Sequence, residues 1–196
     1  DAALDHIKDG TTIMIGGFLG LNAPLACIDK LVQRRVKDLT LITAVNSYVG
    51  GGFGIGKLFE NHQIKKYIGS HVGTCPAATE QYKKGELAVE YYPQGTVIEK
   101  IRAGGAGLGG VLTPVGVGTL MEEGKQKVVI DGQTYLVETA IKADVAIFRG
   151  YKADKAGNIF YRGTPNTNPV MALAADYVIA EVDYVVEPGE IEPDRV

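Results

Sequence analysis

Asp9-Gly10-Thr11-Thr12-Ile13-Met14-Ile15-Gly16-Gly17-Phe18 begins the decisive stretch of the chain, which runs on through Leu19-Gly20-Leu21-Asn22 to Pro24. Three apolar residues end in two glycines and an aromatic, the pattern of a buried strand whose end brings its backbone close to something large. Glycine there permits positive φ and removes the Cβ that would block a ligand. Asn22 is of the side-chain type that best tolerates a left-handed backbone after glycine. Farther on, Leu25, Ile28, Val32 and Val36 share one helical face, while Lys30, Arg34, Arg35 and Lys37 lie mostly off it. Pro24 suits the first turn of that helix, where a missing N–H costs nothing. Residues 39–45 follow as a mostly apolar strand, read as buried on both faces. Strand, helix and strand within about 35 residues make a right-handed βαβ unit and fix the class as α/β.

Working outward, residues 58–67 read as a short helix, 68–72 as a short strand, 79–84 as a helix and 87–92 as another strand. Gly104, Gly105, Gly107, Gly109, Gly110, Gly116 and Gly118, with Pro114 among them, are expected to leave residues 104–118 without regular structure. Residues 127–130 and 134–137 flank Asp131-Gly132, a β-hairpin signal. Parallel character returns with a strand at 143–148, a helix at 169–175 and a strand at 177–182. The expected architecture is an open, mostly parallel sheet with helices on both faces. A small antiparallel flap occupies about residues 100–140 of a single domain spanning 1–196.

At 196 residues the chain should bury roughly 70% of the surface that it exposes when unfolded, enough for a substantial core. A net charge of −3 and the lack of a long basic run argue against nucleic-acid binding. No apolar stretch reaches the ~20 residues of a membrane span and no signal peptide opens the sequence, so a cytoplasmic protein is expected. Cys27 and Cys75 read as two reduced thiols. His6, His62 and His71 stand apart from any partner at metal-ligand spacing, and no metal site is expected. The chain begins at Asp1 and stops at Val196 with no closing element, which suggests missing residues at both ends.

Two glycine motifs invite nucleotide readings. Gly51-Gly52-Phe53-Gly54-Ile55-Gly56-Lys57 has P-loop spacing, but Leu58 has no oxygen with which to hold Mg²⁺. Gly105-Ala106-Gly107-Leu108-Gly109-Gly110 satisfies G-x-G-x-x-G, yet Val111-Leu112-Thr113-Pro114 after it does not begin a helix, so the match is one of composition. More informative are Asn46 and Gln94, each just beyond a strand. Ligands of open α/β sheets lie outside the carboxyl ends of strands. A neutral amide there can donate to a developing oxyanion; it can equally cap a turn. Lys57, Lys65, Lys66, Lys100 and Arg102 are read as surface charges rather than phosphate ligands.

The opening stretch resembles that of the family I CoA-transferases, with Asn22 where a glycine is usual. Further matches are Lys37-Asp38-Leu39-Thr40-Leu41, Phe53-Gly54-Ile55-Gly56, Pro93-Gln94-Gly95-Thr96, Ile101-Arg102-Ala103-Gly104-Gly105-Ala106-Gly107 and Thr113-Pro114-Val115-Gly116-Val117-Gly118-Thr119, then Asn158, Asn168-Pro169 and Ala174-Ala175-Asp176. They span nearly the whole chain in order and resemble those of an α subunit of acetate or 3-oxoacid type.

The resemblance implies that Asn46 and Gln94 help form an oxyanion site. It also implies that Gly16, Gly17, Phe18, Leu19, Gly20, Leu21 and Asn22, with Gly104, Gly105, Ala106 and Gly107, line the space for coenzyme A, bound as acyl-CoA substrate. Ser47 stands where some relatives carry a second asparagine. The family's nucleophilic glutamate lies in a Ser-Glu-Asn-Gly-like segment of the β subunit. No such segment occurs here, and Glu60, Glu80, Glu99, Glu122 and Glu123 read as solvated. A hetero-oligomer with a β subunit is therefore expected, with Tyr48, Tyr91 and Tyr92 packing at the junction. The alternative is a non-catalytic ligand-binding or regulatory module on the same type of sheet.

Overall fold

A computed structural model describes residues 2–195. In chain order the elements are β1 (Thr12–Ile15), α1 (Leu25–Arg34), β2 (Leu39–Ile42), α2 (Gly56–Glu60), β3 (Ile64–Gly69), α3 (Pro76–Lys83), β4 (Ala88–Tyr91), α4 (Gln94–Gly105), β5 (Gly110–Thr113), β6 (Lys127–Ile130), β7 (Gln133–Thr139), β8 (Ala143–Arg149), β9 (Lys152–Asp154), β10 (Ile159–Phe160), α5 (Asn168–Leu173), β11 (Ala175–Glu181) and β12 (Tyr184–Val186). Six strands form one parallel sheet in the order β11-β8-β1-β2-β3-β4.

Alternation along these strands feeds two cores. Ile13, Ile15, Leu39, Leu41, Tyr67, Val145 and Ile147 pack on one face against Ile28 and Leu31 of α1, Leu58 and Phe59 of α2, and Ala78 of α3. Met14, Ile42, Ile68 and Ala146 point the other way, against Val97 and Ile101 of α4 and Met171 of α5. Helices thus cover both faces, as a parallel sheet requires. The flap is also present: β5, β7 and β6 form an antiparallel sheet. Its hairpin turn is Asp131-Gly132, with φ of 50° and 79°, the doubly positive combination of a type I′ turn.

Three expectations are corrected, and one sheet is added. The helix expected over 58–67 ends at Glu60, His62 turns the chain with φ of 51°, and β3 begins at Ile64. The apolar run after Leu39 leaves the sheet at Ile42; residues 43–47 stay buried as a loop. The glycine-rich segment is more regular than its composition implied, since Gly104 and Gly105 close α4 and Gly110 opens β5. A helix precedes and a strand follows the G-x-G-x-x-G match, the reverse of a dinucleotide fingerprint. Finally, the small sheet β10-β9-β12 was not foreseen.

Candidate active site

The strand order reverses around β1: β2, β3 and β4 lie to one side, β8 and β11 to the other. Such a switch point opens a crevice beyond the carboxyl ends of the strands. Gly16 and Gly17 leave β1 there, and Asn168, fully buried at the start of α5, fills the gap between them and β8. Its Oδ1 accepts the N–H of Gly17 (2.9 Å), and its Nδ2 donates to the carbonyls of Asn22 (3.1 Å) and Arg149 (2.9 Å). A Cβ on Gly16 would stand 2.1 Å from that Oδ1, so only glycine admits the contact. One asparagine therefore ties both ends of the 16–22 loop to β8.

Within the loop, Phe18 and Leu21 exchange backbone hydrogen bonds (2.9 and 2.8 Å) around Leu19 and Gly20, with φ of 48° and 91°. A leucine in the left-handed region is strained, a feature that concentrates where backbone shape is functional. Asn22 is left-handed too, with φ of 51°, and its amide donates to the carbonyls of Arg162 and Thr164. Phe53 is the opposing wall: a Cβ on Gly20 would come within 2.4 Å of its ring.

Asn46 lies in the buried loop after β2, 1% exposed. Its Oδ1 accepts the N–H of Ser47 (2.7 Å), while its Nδ2 is buried without a partner among the described residues. It shares a niche of about 10 Å³, the size of one water molecule, with Gly16, Gly17, Gly20 and Phe53. Outward from the niche, Leu19–Leu21, Tyr48, Val49 and Phe53 line an open groove of about 590 Å³, within the usual range for small-molecule sites. Leu21, Tyr48 and Val49 are exposed apolar residues at its rim. A buried donor lacking an acceptor is costly, and its position at the foot of a groove provides a place for an oxygen from outside the chain.

Gln94 opens α4 beyond β4, on the same edge of the sheet, two strands from Asn46 or about 10 Å at ~4.8 Å per strand. It is exposed, and among the described residues its amide has no hydrogen-bond partner. Its neighbours Pro93, Gly95 and Thr96 line a separate groove of about 520 Å³ that reaches Val111, Leu112 and Val115 of the flap.

The fold brings residues 16–22, Asn46 and Gln94 to one edge, but not the second glycine set. The helix α4 runs back across the sheet, and Ile141, which accepts a Cβ-free approach from Gly104, directly precedes the start of β8 at the opposite edge. A Cβ on Gly104 would stand 2.1 Å from the Ile141 carbonyl oxygen, and one on Gly105 2.6 Å from Leu173 Cβ. Gly104 and Gly105 serve helix packing, whereas a Cβ on Gly107 would meet no atom within 4 Å; Gly104, Gly105, Ala106 and Gly107 thus lie away from the edge that carries the 16–22 loop.

Other candidates resolve into structure. The His71 ring bonds Ser70 through Nδ1 (2.9 Å) and meets Thr74 through Nε2 (3.4 Å). Burial, then the carboxylate of Glu181, pushes the Cys27 thiol up to about 11, so it is no nucleophile near neutrality. Glu80, Glu99 and Glu122 pair with Lys84, Arg102 and Lys127. Lys100 is not a surface charge: it is 2% exposed and pairs with Glu138. Among the described residues no group of three or more His, Cys, Asp or Glu side chains is placed to hold a metal, and no helix is long and apolar enough to cross a membrane. Sequence reasoning gave no role to Asn168 or Phe53, because an Asn-Pro helix start and a lone aromatic in a glycine run are common; only the distant partner gives either its meaning.

Residues 1–196 match the coenzyme A transferase family, and the chain belongs to it. It is 46% identical over 195 residues to the acetate CoA-transferase subunit alpha of Escherichia coli K12, covering 99% of this chain and 88% of that one. It is 49% identical over 189 residues to the acetoacetyl-CoA:acetate/butyrate CoA transferase alpha subunit of Clostridium acetobutylicum, covering 96% and 86%. The fold superposes on an acyl-CoA transferase of Escherichia coli O157:H7 with a TM-score of 0.87 at 22% identity, covering all of this chain and 43% of that one. The chain thus spans less than half of that solved chain but most of the curated subunits. It is a CoA-transferase subunit of the alpha type.

Proposed function

We propose that this chain, acting as one domain, is the half of a heteromeric CoA-transferase that binds acyl-CoA and stabilises oxyanions, while the partner β subunit supplies the nucleophilic glutamate. The observation that carries this reading is the buried, unpartnered Nδ2 of Asn46 at the foot of the glycine-walled groove. The acids are short-chain carboxylic or 3-oxo acids, in keeping with the acetate, acetoacetate and butyrate in the relatives' names.

In the proposed ping-pong course, the partner's carboxylate attacks the thioester carbonyl, the C–S bond breaks, and CoA leaves as a thiolate. The acyl–glutamyl anhydride left behind is attacked at its glutamyl carbonyl by that thiolate. This gives a glutamyl-CoA thioester and releases the first carboxylate; a second carboxylate then runs the steps in reverse. Each addition places negative charge on a former carbonyl oxygen. Asn46 and Gln94 donate N–H bonds to those oxygens, and as neutral amides they compete for no proton. Covalent catalysis of this type keeps the thioester energy from being lost to water.

The test is transfer of CoA from acetoacetyl-CoA to acetate, by the chain alone and after addition of its β subunit. Activity is expected only in the mixture. There Asn46→Ala and Gln94→Ala should each lower kcat by about 100-fold or more, the usual loss for one oxyanion donor. Activity in the isolated chain would place the nucleophile here and overturn the division of labour, and an effect below threefold would remove the tested amide from the mechanism.

A further inference from the structure

Gln94 is exposed and, among the described residues, unbonded, yet a donor to an oxyanion must be held to within about 0.5 Å. Its backbone therefore has to be fixed by what lies on either side. Two residues before it stands Tyr92, and six after it stands Lys100. The Lys100 side chain runs back along α4, and its ammonium lies 4.3 Å from the centroid of the Tyr92 ring, so the two close a clamp around the segment that presents Gln94.

The clamp is anchored outside that segment. Lys100 Nζ is 3.1 Å from Glu138 of β7, and these two side chains are only 2% and 3% exposed. Lys125, at the base of the flap, binds the other oxygen of Glu138 and also faces the Tyr92 ring, at 5.0 Å. The Tyr92 hydroxyl donates to Glu90 of β4, whose second oxygen pairs with Lys66 of β3 at 2.7 Å. Burial pushes the Tyr92 hydroxyl up and its bond to Glu90 adds to this, so it stays a donor across the neutral range. A continuous set of contacts thus joins β3, β4, α4 and the flap around one exposed amide. Buried ion pairs are a poor source of stability compared with apolar residues of the same volume; what they supply is one geometry.

We infer that Tyr92, Lys100 and Glu138 are positioning residues that hold the Gln94 amide at the carboxyl edge of the sheet, and that the flap acts on the reaction through them. This presupposes the oxyanion role proposed for Gln94.

A double-mutant cycle in the assembled complex with the β subunit tests it, using Glu138→Gln, Gln94→Ala and the pair. Glu138→Gln is expected to lower kcat about tenfold or more while the KM for acetate stays within about twofold, since sub-ångström misplacement acts on the transition state. In the Gln94→Ala background the same change should alter kcat less than about twofold, a coupling that general loosening would not produce. Equal factors in both backgrounds would overturn the inference. A wild-type kcat for Gln94→Ala alone would instead remove the role it presupposes, a separate failure visible before the pair is made. Should Glu138→Gln fail to fold, the apolar exchange of the whole triad, Lys100→Met with Lys125→Met and Glu138→Leu, of the type that buried triads tolerate, carries the test. Full stability with lowered kcat is expected, and full stability with wild-type kcat would overturn the inference.

Discussion

Asn168 completes the 16–22 loop although it stands far from it in sequence, and its three hydrogen bonds are all to backbone. Asn168→Ala would leave a buried N–H and two carbonyls without their partner, at a cost of about 3 kcal/mol. We expect a fall in unfolding midpoint of roughly 6–12 °C for a chain of this size, seen by calorimetry, together with a raised KM for acyl-CoA. An unchanged midpoint would show that the asparagine does not clamp the loop. Cys27 offers an independent check on burial. With its thiol raised from the ordinary 9.0 to about 11, it holds roughly 100-fold less thiolate at pH 8 than an ordinary cysteine. Alkylation by iodoacetamide should be slower than for free cysteine by about that factor. Rapid labelling at pH 8 would contradict the environment described for the start of α1.

The elements that could be read from the sequence were those specified by local chemistry. The β6–β7 hairpin is the plainest: Asp131-Gly132 adopts doubly positive φ, and no atom lies within 4 Å of a Cβ placed on Gly132. Gly132→Ala therefore pays only backbone strain, about 1 kcal/mol. It should lower the midpoint by roughly 2–4 °C with kcat and KM unchanged; a kinetic effect would mean that the turn meets the site. The β1–α1–β2 unit was legible for the same reason, because a period change from strand to helix needs no tertiary context. By contrast, α4 was hidden. Gly104 and Gly105 are poor helix formers, and they are retained because Ile141 and Leu173 approach too closely for any side chain. The same close approach gives Gly104 and Gly105 a packing reason that a glycine count cannot distinguish from a ligand-facing one. Asn46 and Gln94 could be placed at strand ends from sequence, but the unpartnered state of the Asn46 amide follows only from residues packed around it.

Among the described residues, five carboxyl groups are held below their ordinary values of 3.8 for Asp and 4.5 for Glu. They are Asp5 by Arg34, Glu80 by Lys84, Glu122 by Lys127 and Asp154 by Asn158; for Glu90, burial raises the carboxyl but the bonds from Lys66 and Tyr92 outweigh it. A carboxyl lowered on folding contributes stability that is present above its unfolded value and is lost as the pH falls through the folded one. Stability should therefore hold from neutrality down to the ordinary carboxyl values and decline as the pH falls below them, and Lys66→Met should lower the midpoint more at pH 7 than at pH 3. Equal loss at both values would remove the Lys66–Glu90 pair from that account. The Asn168 clamp has one more consequence, in the order of events during synthesis. The bond from Gly17 to Asn168 spans 151 residues. At about 5–20 residues per second, the glycine loop leaves the ribosome roughly 8–30 s before its clamp is made. A loop translated well before its clamp is thus among the last segments to take its final shape, and a nascent chain halted before α5 would carry the strand without the loop.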